Sequence, residues 1–395
     1  MTDRARRVGF LFNHEGAHQA AHAVPVALAL ARLCPDWRVD LLVTGRALQN
    51  EVQRIADPAE MPPNLNMITL SGMRLAGLAE TLIGGTLPLR RLGVLWRNRR
   101  VLCSYDALAV PEKTTLYLRR FAPRHCPALI HIRHGAGDRA IGFDTATARF
   151  DFHLLPGRKH ERRMRAEGLI REGRFALVGY PKFDTLPDTP PPRLFDTDRP
   201  VVLYAPHFDP VLSSWYRWGP DILRHFAGRN DINLIFAPHV MLFARRWQVS
   251  ARRLRPVRVP PVPGELRGLP NILIDTGSPR STDMTYTRAA DIWLGDVSSQ
   301  IYEFMHRPRP AIFLDVTGRA GPDDPNWRFL AAGPVLRGLE GIAEAIDAAR
   351  ADPQSYRPAQ DTLMAETFAS GEECASDRAA RAIRDFLQNG AVTAM

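Results

Sequence analysis

Short apolar runs of strand type alternate along this chain with longer segments whose apolar residues recur at helical spacing. Val8 to Asn13 reads as a first strand, an alanine-rich helix follows through about Leu33, and Val39 to Thr44 reads as a second strand. Asn66 to Leu70, Ala107 to Val110, Leu129 to Ile132, Asp151 to Leu155 and Phe175 to Val178 continue the series. Pro187, Pro190, Pro191, Pro192 and Pro200 then crowd into a stretch that can be neither regular helix nor central strand. The alternation resumes with Pro200 to Ala205, Ile232 to Phe236, Asn271 to Asp275, Ile292 to Leu294 and Ala311 to Asp315. This is the sequence form of parallel α/β layers. It predicts two Rossmann-like α/β domains facing a shared cleft: residues 1–184, a linker 185–199, residues 200–375, and a final helix within 376–395 that returns to the first domain.

A length of 395 residues suits two such domains, and 45% apolar with 24% charged residues is ordinary for a folded globular protein. The charge balance is less ordinary. With 52 Lys and Arg against 42 Asp and Glu the net charge is +10, so an acidic partner is expected. Much of the excess sits in Arg90, Arg91, Arg97, Arg99 and Arg100, interleaved with Leu92, Val94, Leu95 and Trp96, and in Arg158, Lys159, Arg162, Arg163 and Arg165. A solvated helix face accounts for both runs, but the first would also suit an anionic membrane surface. No zinc-finger spacing, aromatic-rich basic strand or basic zipper is present, so nucleic acid is not expected as a partner. The four cysteines are far apart, which fits a reducing compartment. The apolar run after the basic Met1 to Arg7 is too short for a signal peptide and no stretch reaches spanning length. A cytoplasmic protein is expected, peripheral to the membrane at most.

The strand ends carry the candidate chemistry. Asp296-Val297-Ser298-Ser299 stops a strand before an amphipathic helix; Asp296, Ser298 and Ser299 fit an N-cap, and the same hydroxyls with the free N–H groups of a first helical turn fit a phosphate. Both readings stand on the residues alone. Arg133-His134-Gly135-Ala136-Gly137-Asp138-Arg139 follows another strand, Ala237-Pro238-His239 a third and Ala205-Pro206-His207 a fourth. His134, His207 and His239 thus end three strands, where an imidazole can act as acid or base. No two share a metal-ligand spacing and no carboxylate cluster accompanies them, so no metal is expected, and the spacing of Gly135, Gly137 and Gly142 misses the dinucleotide fingerprint, so no cofactor is expected. Arg280, on the loop after the strand ending at Asp275, is either a phosphate contact or an ordinary loop charge.

In order, these motifs resemble those of the CDP-glycerol glycerophosphotransferase family, the teichoic-acid polymerase type with a GT-B fold. His134-Gly135 matches that family's His-Gly pair, and Gly179-Tyr180-Pro181-Lys182-Phe183-Asp184 its Gly-Tyr-Pro-Arg-x-Asp. Leu203-Tyr204-Ala205-Pro206, Pro238-His239 and Asp296-Val297-Ser298-Ser299 match Leu-Tyr-Ala-Pro, Lys-Pro-His-Pro and Asp-Tyr-Ser-Ser. The likeness spans roughly Ile130 to Leu314. Ala237, Val240 and the pair His207-Phe208 depart from it, as a divergent member would.

The resemblance implies transfer of glycerol phosphate, or a related alditol phosphate, from a CDP-linked donor to a hydroxyl on a polymer or lipid-linked acceptor in cell-surface polymer synthesis. His134 is implied as general base on the acceptor side and His239 as the group that stabilises charge developing on the pyrophosphate or protonates the leaving group. Ser298, Ser299 and Arg280 would hold donor phosphates, with Gly135, His207 and Asp296 nearby. A GT-B glycosyltransferase using a nucleotide sugar for capsule or lipopolysaccharide would use the same groups. A non-catalytic binder of anionic polymer is the reading from another class, supported by the net charge alone.

Overall fold

Strands buried on both faces must be apolar on both, and β1 (Arg7–Phe12) obeys this, with Val8, Phe10, Leu11 and Phe12 wholly excluded from solvent. The computed structural model describes residues 5–14, 16–73, 88–138, 142–250, 255–296, 298–318, 321 and 324–389. It divides into two compact units: residues 1–134, 143–186 and 365–395, and residues 135–142 with 187–364. Residues 135–142 thus belong with the second unit although they follow a strand of the first. The return to the first unit begins at 365, ahead of the position drawn from the sequence.

In the first unit β1 is joined by β2 (Arg38–Val43), β3 (Leu65–Thr69), β4 (Ala107–Val110), β5 (Ala128–Ile132), β6 (Phe152–Leu155) and β7 (Phe175–Leu177) in one sheet of order β3-β2-β1-β4-β5-β6-β7. Every pairing is parallel. Phe10, Leu41, Ala109 and Ile132 face the helix Val24–Leu33, while Leu11, Leu42, Leu108 and Leu129 face the other way, against Val94 and Leu95 of the helix Leu89–Arg97. The buried Asp40 of β2 accepts from the Tyr105 hydroxyl (2.8 Å) and from Arg38 Nε (2.9 Å), so its charge is paired where no water reaches it.

The final helix, Ala375–Asn389, lies along the helix Val24–Leu33 and adds Ala379, Ala380, Ile383 and Phe386 to the core of this unit. Its free amino end is capped from a distance. Asp184 accepts from the Ser376 N–H and hydroxyl, both at 2.6 Å. Gly179, at φ +86°, lets the backbone pass Ala369 and Arg378, where an added Cβ would come within 2.8 Å of the Ala369 carbonyl oxygen. The Gly-Tyr-Pro-Lys-Phe-Asp segment is therefore the tether of the last helix.

The second unit holds β8 (Val201–Ala205), β9 (Asn233–Phe236), β12 (Ile272–Ile274), β13 (Ile292–Gly295), β14 (Ala311–Leu314) and β15 (Val335–Leu336) in the order β12-β9-β8-β13-β14-β15, again all parallel. A separate antiparallel pair, β10 (Trp247–Val249) with β11 (Pro256–Arg258), and the two-residue β15 have no counterpart among the predicted strands; each is too short to carry a periodicity. The proline-rich stretch runs without helix or strand, held by the Arg288 guanidinium on the Pro187 carbonyl (3.0 Å) and by Arg193 Nε on that of Phe195 (3.0 Å). The second basic run forms the helix Arg158–Ala166. Arg163 and Arg165 pair there with Glu167 and Glu161 on the surface, whereas Lys159 of the same run is buried.

Phe386 stacks on Phe152 at 4.5 Å and is 5% exposed. Phe386→Ala is expected to destabilise the first unit by about 3–5 kcal/mol. Urea unfolding followed by hydrogen exchange at the β1 and β6 amides checks this. Unchanged protection there would mean that the last helix adds nothing to the core.

Candidate functional site

Each sheet reverses its strand order once, between β1 and β4 in the first unit and between β8 and β13 in the second. Ligands of parallel α/β sheets sit beyond the strand carboxyl ends beside such a reversal. Polar side chains gather at both places.

In the second unit the His207 and Ser214 N–H groups both donate to Oδ2 of Asp296, each at 2.8 Å. Asp296 is fully buried, and its Oδ1 has no hydrogen-bond partner among the described residues. Burial, opposed by the bonds from Ser214 and His207, pushes its pKa up to about 7. Asp296 therefore does not cap the helix that follows it, as its place before that helix suggested. It fastens the loop after β8 to the start of the helix Trp215–Ala227, because a buried carboxylate takes whichever amides the fold brings to it.

His207 Nδ1 accepts from the Asp209 N–H (2.9 Å), and His239 Nδ1 accepts from the Met241 N–H (3.2 Å). A neutral imidazole whose Nδ1 accepts carries its proton on Nε2, so both rings are N–H donors. The two rings lie 5.7 Å apart and flank Phe208 at 4.6 and 4.7 Å. Burial lowers His239 to about 4, which keeps it neutral near pH 7.

Ser298 and Ser299 precede the helix Gln300–Phe304. Five residues make a weak dipole, so any attraction for an anion here rests on hydroxyls and first-turn amides. Ser298 Oγ accepts from the Gln300 N–H (3.2 Å), whereas Ser299 is exposed and makes no cap bond. Gly135 and Gly137 lie against it. A Cβ at Gly135 (φ +80°) would stand 3.6 Å from Ser299 Oγ, and one at Gly137 would stand 3.3 Å from Ser299 Cβ. The buried Asp138 holds this segment down by accepting from the Tyr302 hydroxyl (2.8 Å) and the Phe329 N–H (3.2 Å).

Arg280 is exposed on a turn organised by Asp275, which accepts from the Gly277 and Ser278 amides and the Tyr286 hydroxyl. The Gln300 side chain bonds the Ser281 carbonyl at 3.1 Å and so ties that turn to the serine-bearing helix. Arg139 and Val297 lie outside the described residues.

In the first unit His134 Nδ1 meets the Pro111 carbonyl. A carbonyl can only accept, so the proton is on Nδ1 and the Nε2 lone pair is available. The ring is exposed; crowding by neighbouring atoms, with Arg133 and Lys113, pushes its pKa down, and the Pro111 bond opposes this. Two further histidines, not singled out from the sequence, stand with it. His14 follows β1, and His22 ends the 3₁₀ turn Ala17–His22 with its ring 6.5 Å from that of His134 and 4.8 Å from that of Tyr180. Asn13-His14 closes a strand just as His134 does, which was the available signal. Among the described residues no three His, Cys, Asp or Glu side chains form a metal-holding group.

No family model matches the chain, and no curated protein matches it. Solved structures do. A variant of the wall teichoic acid polymerase TagF soaked with CDPG aligns over 98% of this chain and 89% of its own, at 16% identity and TM-score 0.60. A UDP-N-acetylglucosamine 2-epimerase aligns over 100% and 99% at 13% identity and TM-score 0.63, and the S. aureus MnaA–UDP co-structure over 99% and 100% at 12% and 0.61. The fold is GT-B. Two parallel sheets, each with one reversal of strand order, are the GT-B architecture expected from the alternation of runs.

Asp296, raised to about 7, binds a proton in the native state that the unfolded carboxyl releases near ~3.9, so this group loses stability for the fold as pH rises from about 4 to 7. His14, lowered to about 3 chiefly by burial, acts oppositely: its contribution is full above ~6.5 and is lost as pH falls toward 3. Asp296→Asn is expected to gain in melting temperature relative to the parent between pH 5 and 8, and His14→Gln between pH 6.5 and 4.5. Parallel melting profiles would show that neither group titrates with folding.

Proposed function

We propose that the chain is a GT-B transferase that moves glycerol phosphate, or a related alditol phosphate, from a CDP-linked donor to a hydroxyl acceptor of a cell-surface polymer. The observation that carries this reading is the opposition of tautomers. Main-chain partners leave His134 with a free Nε2 lone pair, and leave His207 and His239 with Nε2–H donors. Taken singly, the first can serve as a base and the other two as neutral donors, and phosphoryl transfer draws on groups of both kinds.

In the proposed reaction the acceptor oxygen bonds to the phosphorus that bears the alditol, and its proton passes to His134 Nε2. The bond from that phosphorus to the bridging oxygen breaks, and CMP leaves with the electron pair. His239 and His207 donate to the charge that gathers on the departing phosphate. Ser299, Ser298 and the Gly135–Gly137 backbone, fixed by Asp138 on Tyr302, supply further donors, and Arg280 adds a cation. Gly137 leaves room for Ser299 that a side chain would narrow, and Gly135 adopts a φ of +80° that favours glycine. The likeness to a TagF structure soaked with CDPG supports the CDP-linked donor.

A nucleotide-sugar reaction is the second reading, favoured by the fold shared with UDP-bound MnaA. Melting shifts with CDP-glycerol, CDP-ribitol and UDP-sugars separate the two without an acceptor. A shift with a CDP-alditol that Ser298→Ala/Ser299→Ala abolishes is expected. A shift with UDP-sugars alone would favour the second reading, and none at all the polymer-binding one. His134→Gln is expected to lower kcat about 10²- to 10⁴-fold while the donor-induced shift persists. Full activity in that variant would remove His134 as the base.

The proposed acceptor side includes an anionic membrane surface. Trp96 (47% exposed), Val101 (44%) and Tyr117 (44%) lie among the exposed Arg90, Arg97, Arg100 and Arg120. Arg99 covers the Trp96 ring at 4.2 Å and Phe121 meets it edge-on. Among the described residues no helix is long and apolar enough to cross a membrane. Co-sedimentation with phosphatidylglycerol vesicles is expected, weakened in Trp96→Ala and by salt, and absent with phosphatidylcholine. Equal sedimentation with both lipids would remove the charge-based contact.

A further inference from the structure

We propose that the antiparallel pair β10 and β11 of the second unit is a docking surface for an anionic lipid bilayer, with Trp247 and Val249 entering the headgroup region and the surrounding arginines meeting lipid phosphates. It stands on the second unit alone, apart from the contact proposed around Trp96. Only its consequence for a lipid-linked acceptor rests on the proposed reaction.

Strand alternation fixes which side of this pair is free. Trp247 stands opposite Arg258, Gln248 opposite Val257 and Val249 opposite Pro256, and directly opposed residues share a face. Gln248 points into the unit: it is buried, and its side-chain amide donates to the Leu242 carbonyl at 3.2 Å. Beside it the Ser250 hydroxyl donates to the Asp209 carboxylate at 3.1 Å, and Val259 joins the core of the second sheet. The other face carries Trp247, Val249, Pro256 and Arg258, all exposed. Trp247 is 56% and Val249 54% exposed, more than any other large apolar side chain among the described residues. Two such neighbours on one face of a well-anchored strand pair are a surface that water leaves unsatisfied.

Charge selects what covers it. From Ile232 to Gly264 the sequence has six arginines and neither aspartate nor glutamate. Four of these, Arg245, Arg246, Arg255 and Arg258, are exposed, and none of the four has an ion pair or a side-chain hydrogen bond among the described residues. Elsewhere in the same unit surface arginines are answered: Arg224 pairs with Asp221, Arg229 and Arg350 with Asp231, and Arg357 with Asp361. A face with an apolar centre and an uncompensated cationic margin is complementary to a surface that offers phosphate outside and hydrocarbon beneath. An anionic bilayer offers both, and an indole ring is at home where they meet. A soluble polyanion would answer the arginines and leave Trp247 and Val249 in water. Gln248 and Ser250 fasten the pair next to the loops that carry His239 and His207, so docking brings that edge of the second sheet to the lipid, where a lipid-linked acceptor would lie.

Phosphatidylglycerol vesicles with brominated acyl chains test this on the whole protein, in a Trp96→Ala background that removes the contact proposed for the first unit. Quenching of tryptophan fluorescence is expected, and Trp247→Phe should abolish it while sedimentation with the vesicles persists. Sedimentation should weaken in Trp247→Ser/Val249→Ser, and in Arg245→Gln/Arg246→Gln by about 5-fold for each charge removed. All of these side chains are exposed, so the melting temperature should stay with that of the background. No sedimentation of the Trp96→Ala protein, or sedimentation that Trp247→Ser/Val249→Ser leaves unchanged, would overturn the proposal. Arginine-dependent binding without bromolipid quenching would also overturn it, and competition by soluble polyphosphate would then identify a polyanion as the partner. Docking that depends on Trp247 in a protein that does not turn over CDP-glycerol would support the surface and remove only its consequence for the acceptor.

Discussion

Parallel pairing places every strand's carboxyl end on the same edge of its sheet, and the remaining chemistry of this protein follows from that constraint. Each sheet reverses its winding once, which parts the loops at one point along the edge. At the first reversal stand Asn13, His14 and Glu112, at the second His207 and Asp296, and the flanking strands add His134 and His239. None of these side chains is adjacent in sequence to more than one other. Within each unit they come to one edge because hydrogen-bonded registers, such as Val8 with Ala107 in the first and Gly295 with Ala205 in the second, bring their strands level.

The main chain then decides what each imidazole can do. A carbonyl opposite Nδ1 makes His134 an acceptor at Nε2, and amides opposite Nδ1 make His207 and His239 donors there. Three residues of one type are thereby given two hydrogen-bonding patterns by backbone groups two residues or more away. Asp296 shows the same dependence from the other side. Its carboxyl receives two amides, yet complete burial still holds it near neutrality.

The segment Gly179 to Asp184 joins structure to chemistry. Gly179 permits the approach of residues 369 and 378, Asp184 caps the last helix, and Tyr180 and Lys182 face His22. Anchoring of the carboxyl-terminal helix and placement of the histidine group in the first unit therefore draw on the same few residues. Its likeness to a family motif gave no hint of this, since the partners of those side chains lie some 160 to 190 positions away in either direction.

Much of the fold was legible. Twelve apolar runs were read as strands, and each one is a strand in the structure, because the strands of a parallel sheet covered on both faces are apolar at most positions, with few polar exceptions such as Asp40. His134, His207 and His239 were legible as residues that follow strands, because each comes soon after a legible run. His14 was passed over although it follows a strand as His134 does, and His22 because burial of a polar ring is a property of its surroundings and leaves no periodic mark. The sequence by itself determined the parallel α/β class, the proline-rich break and the residue types at strand ends, since these depend on spacing and on local backbone preference. Tertiary structure alone decided that Asp296 binds amides of another loop, that residues 135–142 belong with Ser299, and that the Pro111 carbonyl holds the proton of His134 on Nδ1. Those outcomes depend on which distant groups share a small, poorly hydrated volume, and no local pattern encodes that.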